Sequence, residues 1–248
     1  MFLTEVKLWD IVKKQTHYKL NANLSVFSSL LLIQVVGILL STNGSGNTSM
    51  GFNGDSINIS FLTGDLIIIF TIIWAFISAI IITTKAYRND DFIFISNRLS
   101  SNLSNILFLI LASIVGGVTS ILSGILLKVI LLFVLKNDYT LGTLISFQEL
   151  LLGMFVSFLY IILFAAIGYF VGMVIQISKW FSILIPTLLI GNSIVSANQG
   201  KEEFLVAEVF RFFAQESSLL LFFAKVIFTS SILFFFSVIL SNKMEVRK

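Results

Sequence analysis

The sequence predicts an all-α, polytopic membrane protein with six transmembrane helices, and three observations carry that prediction. The chain is 57% hydrophobic and only 12% charged over 248 residues, whereas a water-soluble domain carries roughly 25% charged residues. Six apolar runs stand out, at 24–40, 61–83, 106–127 (extending toward 135), 150–175, 180–195 and 219–240. Each approaches the ~20 residues that a helix needs to cross a ~30 Å hydrocarbon core. The basic residues are sorted by side. With the N-terminus inside, Lys7, Lys13, Lys14, Lys19, Lys85, Arg88, Arg98, Lys179, Lys243, Arg247 and Lys248 fall on the inner side, and Lys128, Lys136, Lys201, Arg211 and Lys225 on the outer. Cytoplasmic segments collect Lys and Arg, so both termini are expected in the cytoplasm. The whole chain, 1–248, reads as one transmembrane domain: an N-terminal interfacial helix at 1–23, a six-helix bundle at 24–240 and a cytoplasmic tail at 241–248.

Taken in order, residues 1–23 place Phe2, Val6, Trp9 and Val12 at three-or-four spacing, with Glu5, Lys7, Asp10, Lys13 and Lys14 between them. That pattern fits an amphipathic helix on the inner membrane surface with Trp9 at headgroup level. The stretch 41–60, STNGSGNTSMGFNGDSINIS, has no Lys or Arg and is rich in Gly, Ser and Asn, so it reads as a flexible outer loop. Its glycosylation triplets at Asn43, Asn47 and Asn58 are expected by chance in such a composition. Between the fifth and sixth runs, 197–218 alternates Phe204, Leu205, Val209, Phe212 and Phe213 with Lys201, Glu202, Glu203, Glu208, Arg211 and Glu216. An amphipathic outer helix, dipping its apolar face into lipid or capping a cavity, would have this pattern.

The same residues exclude most chemistry. There is no cysteine and one histidine, so disulfides, thiolate nucleophiles and a protein-only transition-metal site are not expected. The pattern G-x-x-x-x-G-K-[ST] is missing, so if ATP drives this protein another chain binds it, with its Mg²⁺. His17 stands in the interfacial segment, and Glu202–Glu203 lack a histidine partner. Neither builds a hydrolytic triad or metal site, and the chain is not expected to be an enzyme. Net charge +3 and a pI of 9.1 arise from residues at membrane boundaries, an orientation signal rather than a nucleic-acid surface.

Four ionisable residues are candidates for a translocation path: Asp65 opening the second run, Lys128 after the third, Glu149 before the fourth and Lys225 in the sixth. Charges near the membrane face a bundle interior or a water-filled cavity, or else snorkel to the interface; both readings stand for these four. Ser113, Gly117, Ser120 and Gly124 share one face of the third run, and Gly168 and Gly172 lie four apart in the fourth. Small residues let helix backbones approach in lipid, so they predict tight packing, within the bundle or across a dimer. Pro186 is the single proline. It should kink the fifth helix and is a candidate gate or a fixed bend.

The longest basic and aromatic interruption is 85–105, KAYRNDDFIFISNRLSSNLSN. Asn89, Asp90 and Asp91 can cap a short helix, and Phe92, Ile93, Phe94 and Ile95 need a surface to dock on. Asn97, Arg98 and Leu99 follow, and then a Ser/Asn run suited to capping the third span. This order of segments resembles the permease subunit of an ABC-2-type (type V) ABC transporter, and NDDFIFISNRLSSNLSN is similar to small Gram-positive permeases that export amphipathic peptides such as phenol-soluble modulins. The resemblance implies a coupling helix between the second and third spans, made by Asp90, Asp91, Phe92, Ile93, Phe94, Asn97, Arg98 and Leu99. It also implies separate ABC ATPase subunits that hold ATP and Mg²⁺, a second permease copy or sister permease, a setting in the lipid of a bacterial plasma membrane, and export of peptides or other hydrophobic molecules. The alternative is a non-transporting immunity or sensor protein that sequesters a membrane-active peptide. Fold alone does not fix substrate.

Overall fold

The computed structural model describes residues 7–42, 46–52, 55–61, 64–84, 87, 97–134, 146–178, 180–184, 186–188, 191, 211–213, 215–216 and 218–243. Within them run α1 (Leu8–Ala22), α2 (Leu24–Ser41), β1 (Gly46–Phe52), β2 (Asp55–Phe61), α3 (Asp65–Thr83), α4 (Arg98–Val134), α5 (Phe147–Ile177) and α6 (Leu219–Lys243). The five helices α2 to α6 are long and apolar enough to cross a membrane. The protein is therefore a membrane-embedded, multi-pass helical bundle. Its fifth expected span, 180–195, lies partly outside the described residues; 181–184 and 186–188 are helical.

Two elements differ from expectation. The expected flexible loop holds an antiparallel hairpin, with Gly46 paired to Phe61 and Phe52 to Asp55, so all-α describes the membrane part only. The sequence puts Asn53-Gly54 between the strands, a pair that two-residue hairpin turns favour. The third span begins at Arg98 rather than Ile106. Arg98 and Leu99, expected at the end of a separate coupling helix, form the first turn of α4, and the Ser/Asn run continues that helix instead of capping it. Ser100, Asn102, Ser104 and Asn105 are all buried, because α1 and α5 cover this face. At 37 residues, α4 is about 55 Å long and outreaches a ~30 Å hydrocarbon core.

Helix direction follows from aromatic pairs. Phe155 stacks on Phe223, Tyr160 meets Phe222, and Tyr169 meets Phe234, with ring centroids 5.8, 4.9 and 6.0 Å apart. From the first two pairs, which lie side by side, to Tyr169–Phe234 the residue numbers rise in both helices, so α5 and α6 run parallel. The chain leaves α5 at one end of the bundle and enters α6 at the other. One end, called proximal below, gathers α1, the start of α4 and the end of α6: Lys19 reaches Ser104, and Arg98 Nη1 donates to Ser241 O at 3.5 Å. The distal end carries the starts of α3, α5 and α6.

The core is set where backbones meet. A Cβ on Gly168 of α5 would meet Phe76 Cα at 3.0 Å and its carbonyl carbon at 3.1 Å, and one on Gly172 would meet Ile80 Cα at 3.2 Å. A Cβ on Gly117 of α4 would meet Phe158 N of α5 at 3.0 Å, and one on Gly37 of α2 would meet Ile67 Cα at 3.1 Å. The small-residue stripes thus pack within one chain. Around them Trp74, Ala79, Phe108, Leu159, Ala166 and Tyr169 form the main core, and Ile38, Ile67, Leu127 and Leu131 a second cluster toward the distal end. Helix α6 is the least buried span, and Leu220, Phe228 and Phe235 point away from the core.

Gly168→Ala should cost about 1–3 kcal/mol, the range for overpacking a filled core, because the new methyl meets Phe76 backbone. Gly124→Ala, whose Cβ meets nothing within 4 Å, should leave stability unchanged. Thermal unfolding of the two detergent-solubilised variants, followed by loss of the monodisperse elution peak, checks both expectations.

Candidate functional site

The strongest convergence of polar side chains lies at the proximal end, where α1 docks on α4. Helix α1 is nearly continuous with α2; the break is Asn23, at φ −105° and ψ 37°, whose N–H donates to Lys19 O. Asparagine tolerates such turn conformations. The buried stripe of α1 is Val12, Gln15, Thr16 and Lys19, four positions on one helix face. Leu8, Trp9 and Tyr18 are exposed, and Lys13 Nζ sits 5.8 Å from the Trp9 ring centroid. So α1 is held to the bundle by a mostly polar stripe, while its large side chains face out, as an interfacial helix requires.

Lys19 is the centre of that contact. It is 7% exposed, and its ammonium donates to Asn105 Oδ1 at 2.5 Å, Ser104 Oγ at 2.8 Å and Ser101 O at 3.4 Å. Charge-assisted bonds of this kind are about twice as strong as neutral ones. One turn away, Asn102 Oδ1 accepts from Tyr169 OH of α5 at 3.0 Å, tying the same stretch of α4 to the bundle core. Beside Lys19 a small cleft of about 40 Å³ is lined by residues of α1, α3 and α4 and by Asn23 and Tyr87.

Of the expected coupling residues, Asp90, Asp91, Phe92, Ile93 and Phe94 lie outside the described residues. Asn97 directly precedes α4, and its carbonyl accepts from Ser100 Oγ at 2.7 Å and Ser101 N–H at 3.1 Å. Arg98 joins the start of α4 to the end of α6 through Ser241, and Leu99 is half-buried. The described end of that stretch is therefore bonded to α6, and one turn further on to α1.

The candidate path residues do not gather. Asp65 is exposed in the first turn of α3, where a carboxylate suits the helix N-terminus. Lys128 is half-buried on α4, one turn beyond Gly124, which lies against Gly64. Glu149 serves its own helix: Ser146 N–H donates to Glu149 Oε2 at 2.9 Å and Glu149 N–H to Ser146 Oγ at 3.3 Å, a capping box. Lys225 pairs with Glu216 and lies 4.0 Å over the Phe212 ring. Among the described residues no hydrogen bond or ion pair joins any two of the four. Pro186 is exposed in a short helical piece; of the amphipathic segment 197–218, Arg211, Phe212 and Phe213 are helical and most of the rest lies outside the described residues.

Sequence reasoning missed the polar centre of the bundle. Gln34 is 2% exposed; its Nε2 donates to Thr119 Oγ1 at 2.9 Å and Thr71 Oγ1 at 3.3 Å, and its Oε1 accepts from Ser123 Oγ at 3.3 Å. One amide thus links α2, α3 and α4. The available signal was a lone glutamine in a run of aliphatic residues, since a polar side chain at that depth seeks partners.

Two outcomes follow. Gln34→Leu should cost about 1 kcal/mol, the scale of membrane interhelical hydrogen bonds, because Thr71 and Thr119 retain bonds to Ile67 O and Val115 O; thermal unfolding reads this. The chain has no cysteine, so a single Val12→Cys, fully buried in α1, reports docking directly. Adding Lys19→Met should raise its maleimide labelling rate about tenfold or more, as expected for loss of a charge-assisted contact. Comparison of the chain with family models, curated proteins and solved structures gives no match to any of the three.

Proposed function

We propose that this chain is the transmembrane permease subunit of an ATP-driven ABC exporter of the ABC-2 type. It would move amphipathic peptides or similar hydrophobic molecules out of a bacterial cell, with ATP and Mg²⁺ held by separate ATPase subunits. The observation that supports this best is the convergence at the start of α4, where Arg98 bonds α6 and Lys19 bonds α1 to Ser101, Ser104 and Asn105. A displacement delivered to 90–99 would be passed at once to three helices. Such a contiguous bonded network is what carries coupling between distant sites.

The parallel run of α5 and α6 supports a sixth crossing. The connection from Ile177 to Leu219 has to return from the proximal to the distal end, and 180–195 is its apolar stretch. With six crossings both termini share a side, and the Lys and Arg count assigns that side to the cytoplasm. Asp65, Lys128, Glu149 and Lys225 then lie at the distal, outer end, Lys225 in its pair with Glu216. The path for cargo would lie between this permease and a second copy or sister permease.

Affinity purification from the native membrane tests the proposal. A P-loop ATPase should co-purify with the wild-type chain and be lost with Phe92→Ala and Arg98→Glu combined. Recovery of the chain without any ATPase under gentle detergent conditions, together with peptide resistance that survives both substitutions, would replace the exporter by the sequestering immunity protein.

A further inference from the structure

The hairpin at the distal end sorts its residues by face. Successive strand positions alternate between the two faces of a ribbon, and directly paired positions share one. The register pairs Gly46 with Phe61, Thr48 with Ile59, Met50 with Ile57 and Phe52 with Asp55. Met50, Phe52, Ile57, Ile59 and Phe61, the apolar residues of both strands, therefore fall on one face. The other face is made of Asn47, Ser49, Gly51, Ser56, Asn58 and Ser60. Asp55, beside the turn, is the one ionisable residue of the two strands. The ribbon is amphipathic and carries no cation.

Its tethers hold it at the membrane surface. Helices α2 and α3 have 18 and 19 residues, about 27–29 Å of length, so their ends meet the boundary of a ~30 Å hydrocarbon core. Thr42 N–H still donates to Ile38 O at the end of α2, and Gly64 O accepts from Ile67 N–H in the first turn of α3. Residues 43–45 and 62–63 make the links to the strands. Three Cα steps from Phe61 to Gly64 reach about 11 Å at most, and a headgroup layer is itself roughly 5–8 Å deep. The base of the ribbon is thus confined to headgroup level. A two-stranded ribbon alone in water is marginally stable, so its apolar face needs a cover. Lipid is the cover that both tethers bring within reach, and it asks for no charge on the ribbon.

We propose that the apolar face of this hairpin docks on the bilayer itself, at the headgroup–acyl boundary of the distal leaflet, without preference for anionic lipid. The chain has no cysteine, so single-cysteine variants of the full chain can carry an environment-sensitive fluorophore in phosphatidylcholine vesicles. A nitroxide on a shallow acyl carbon should remove about half the emission at Met50→Cys, Ile57→Cys and Ile59→Cys, and little at Ser49→Cys and Asn58→Cys. Aqueous iodide should give the reverse order. Adding phosphatidylglycerol to the vesicles should leave the pattern unchanged, since the ribbon has no cation to answer it. Met50→Asp combined with Ile57→Asp should release the label at Ile59→Cys from the lipid quencher to iodide, while the elution peak of the bundle stays monodisperse.

Iodide access at all five positions, or lipid quenching that does not alternate with position, would overturn the docking. Lipid quenching that persists after both aspartates are introduced would overturn it too, since the label alone would then be inserting. Labels on the apolar face that neither quencher reaches would replace the lipid by a protein cover, either a second copy or the segment 197–218. None of these readouts involves an ATPase, so they stand apart from the test of transport.

Discussion

Apolar side chains gain nothing by leaving lipid for one another, so a membrane bundle is held where its backbones come close enough for dense van der Waals contact. In this protein that place is the α3–α5 seam. Gly168 and Gly172 leave no room for a Cβ against Phe76 and Ile80, and the rest of the arrangement is built outward from it. Gly117 brings α4 onto the same helix, Gly37 brings α2 onto α3, and α6 lies along α5 through a ladder of aromatic rings. The helices most central to the seam are those with the least freedom to slide.

Polar contacts then divide the bundle by depth. Near its middle Gln34 gathers hydroxyls from α3 and α4. Those hydroxyls already bond their own helix carbonyls, which makes the shared amide a registry contact of modest energy. At the proximal end the contacts are charged and denser, and α1, α4, α5 and α6 meet within a few turns of Arg98. The distal end holds its charges locally, in the Ser146–Glu149 cap and the Glu216–Lys225 pair.

What was legible in the sequence was what depends on local composition. Aliphatic runs located the membrane helices, and the four-residue spacing of Gly168 and Gly172 announced a close contact, though not which helix would fill it. The start of α4 was misread because Ser100, Asn102, Ser104 and Asn105 have the composition of a cap. The helix prevails since Ser100 and Ser104 bond back to carbonyls three residues earlier and the amide oxygens of Asn102 and Asn105 find partners on α5 and α1. The hairpin was hidden behind a composition that reads as loop, although Asn53-Gly54 is its turn signal. Lys19 and Gln34 could not be assigned from sequence at all, because their partners stand about eighty residues away in the chain and burial of a polar side chain is decided by non-local packing. Among the described residues of the expected coupling stretch, Arg98 was both anticipated and found in a contact between two long helices.

The unbroken length of α4 makes it a lever. It is gripped near its middle, where Gly117 lies on the α5 backbone, and its arm toward Arg98 is about 28 Å long at 1.5 Å per residue. A pivot of about 10° at that grip would sweep the Arg98 end through roughly 5 Å, close to one helical turn. A shift of one turn is enough to exchange one set of side-chain contacts for the next. Stiffness over this distance requires that no proline interrupt the helix, and Arg98–Val134 contains none.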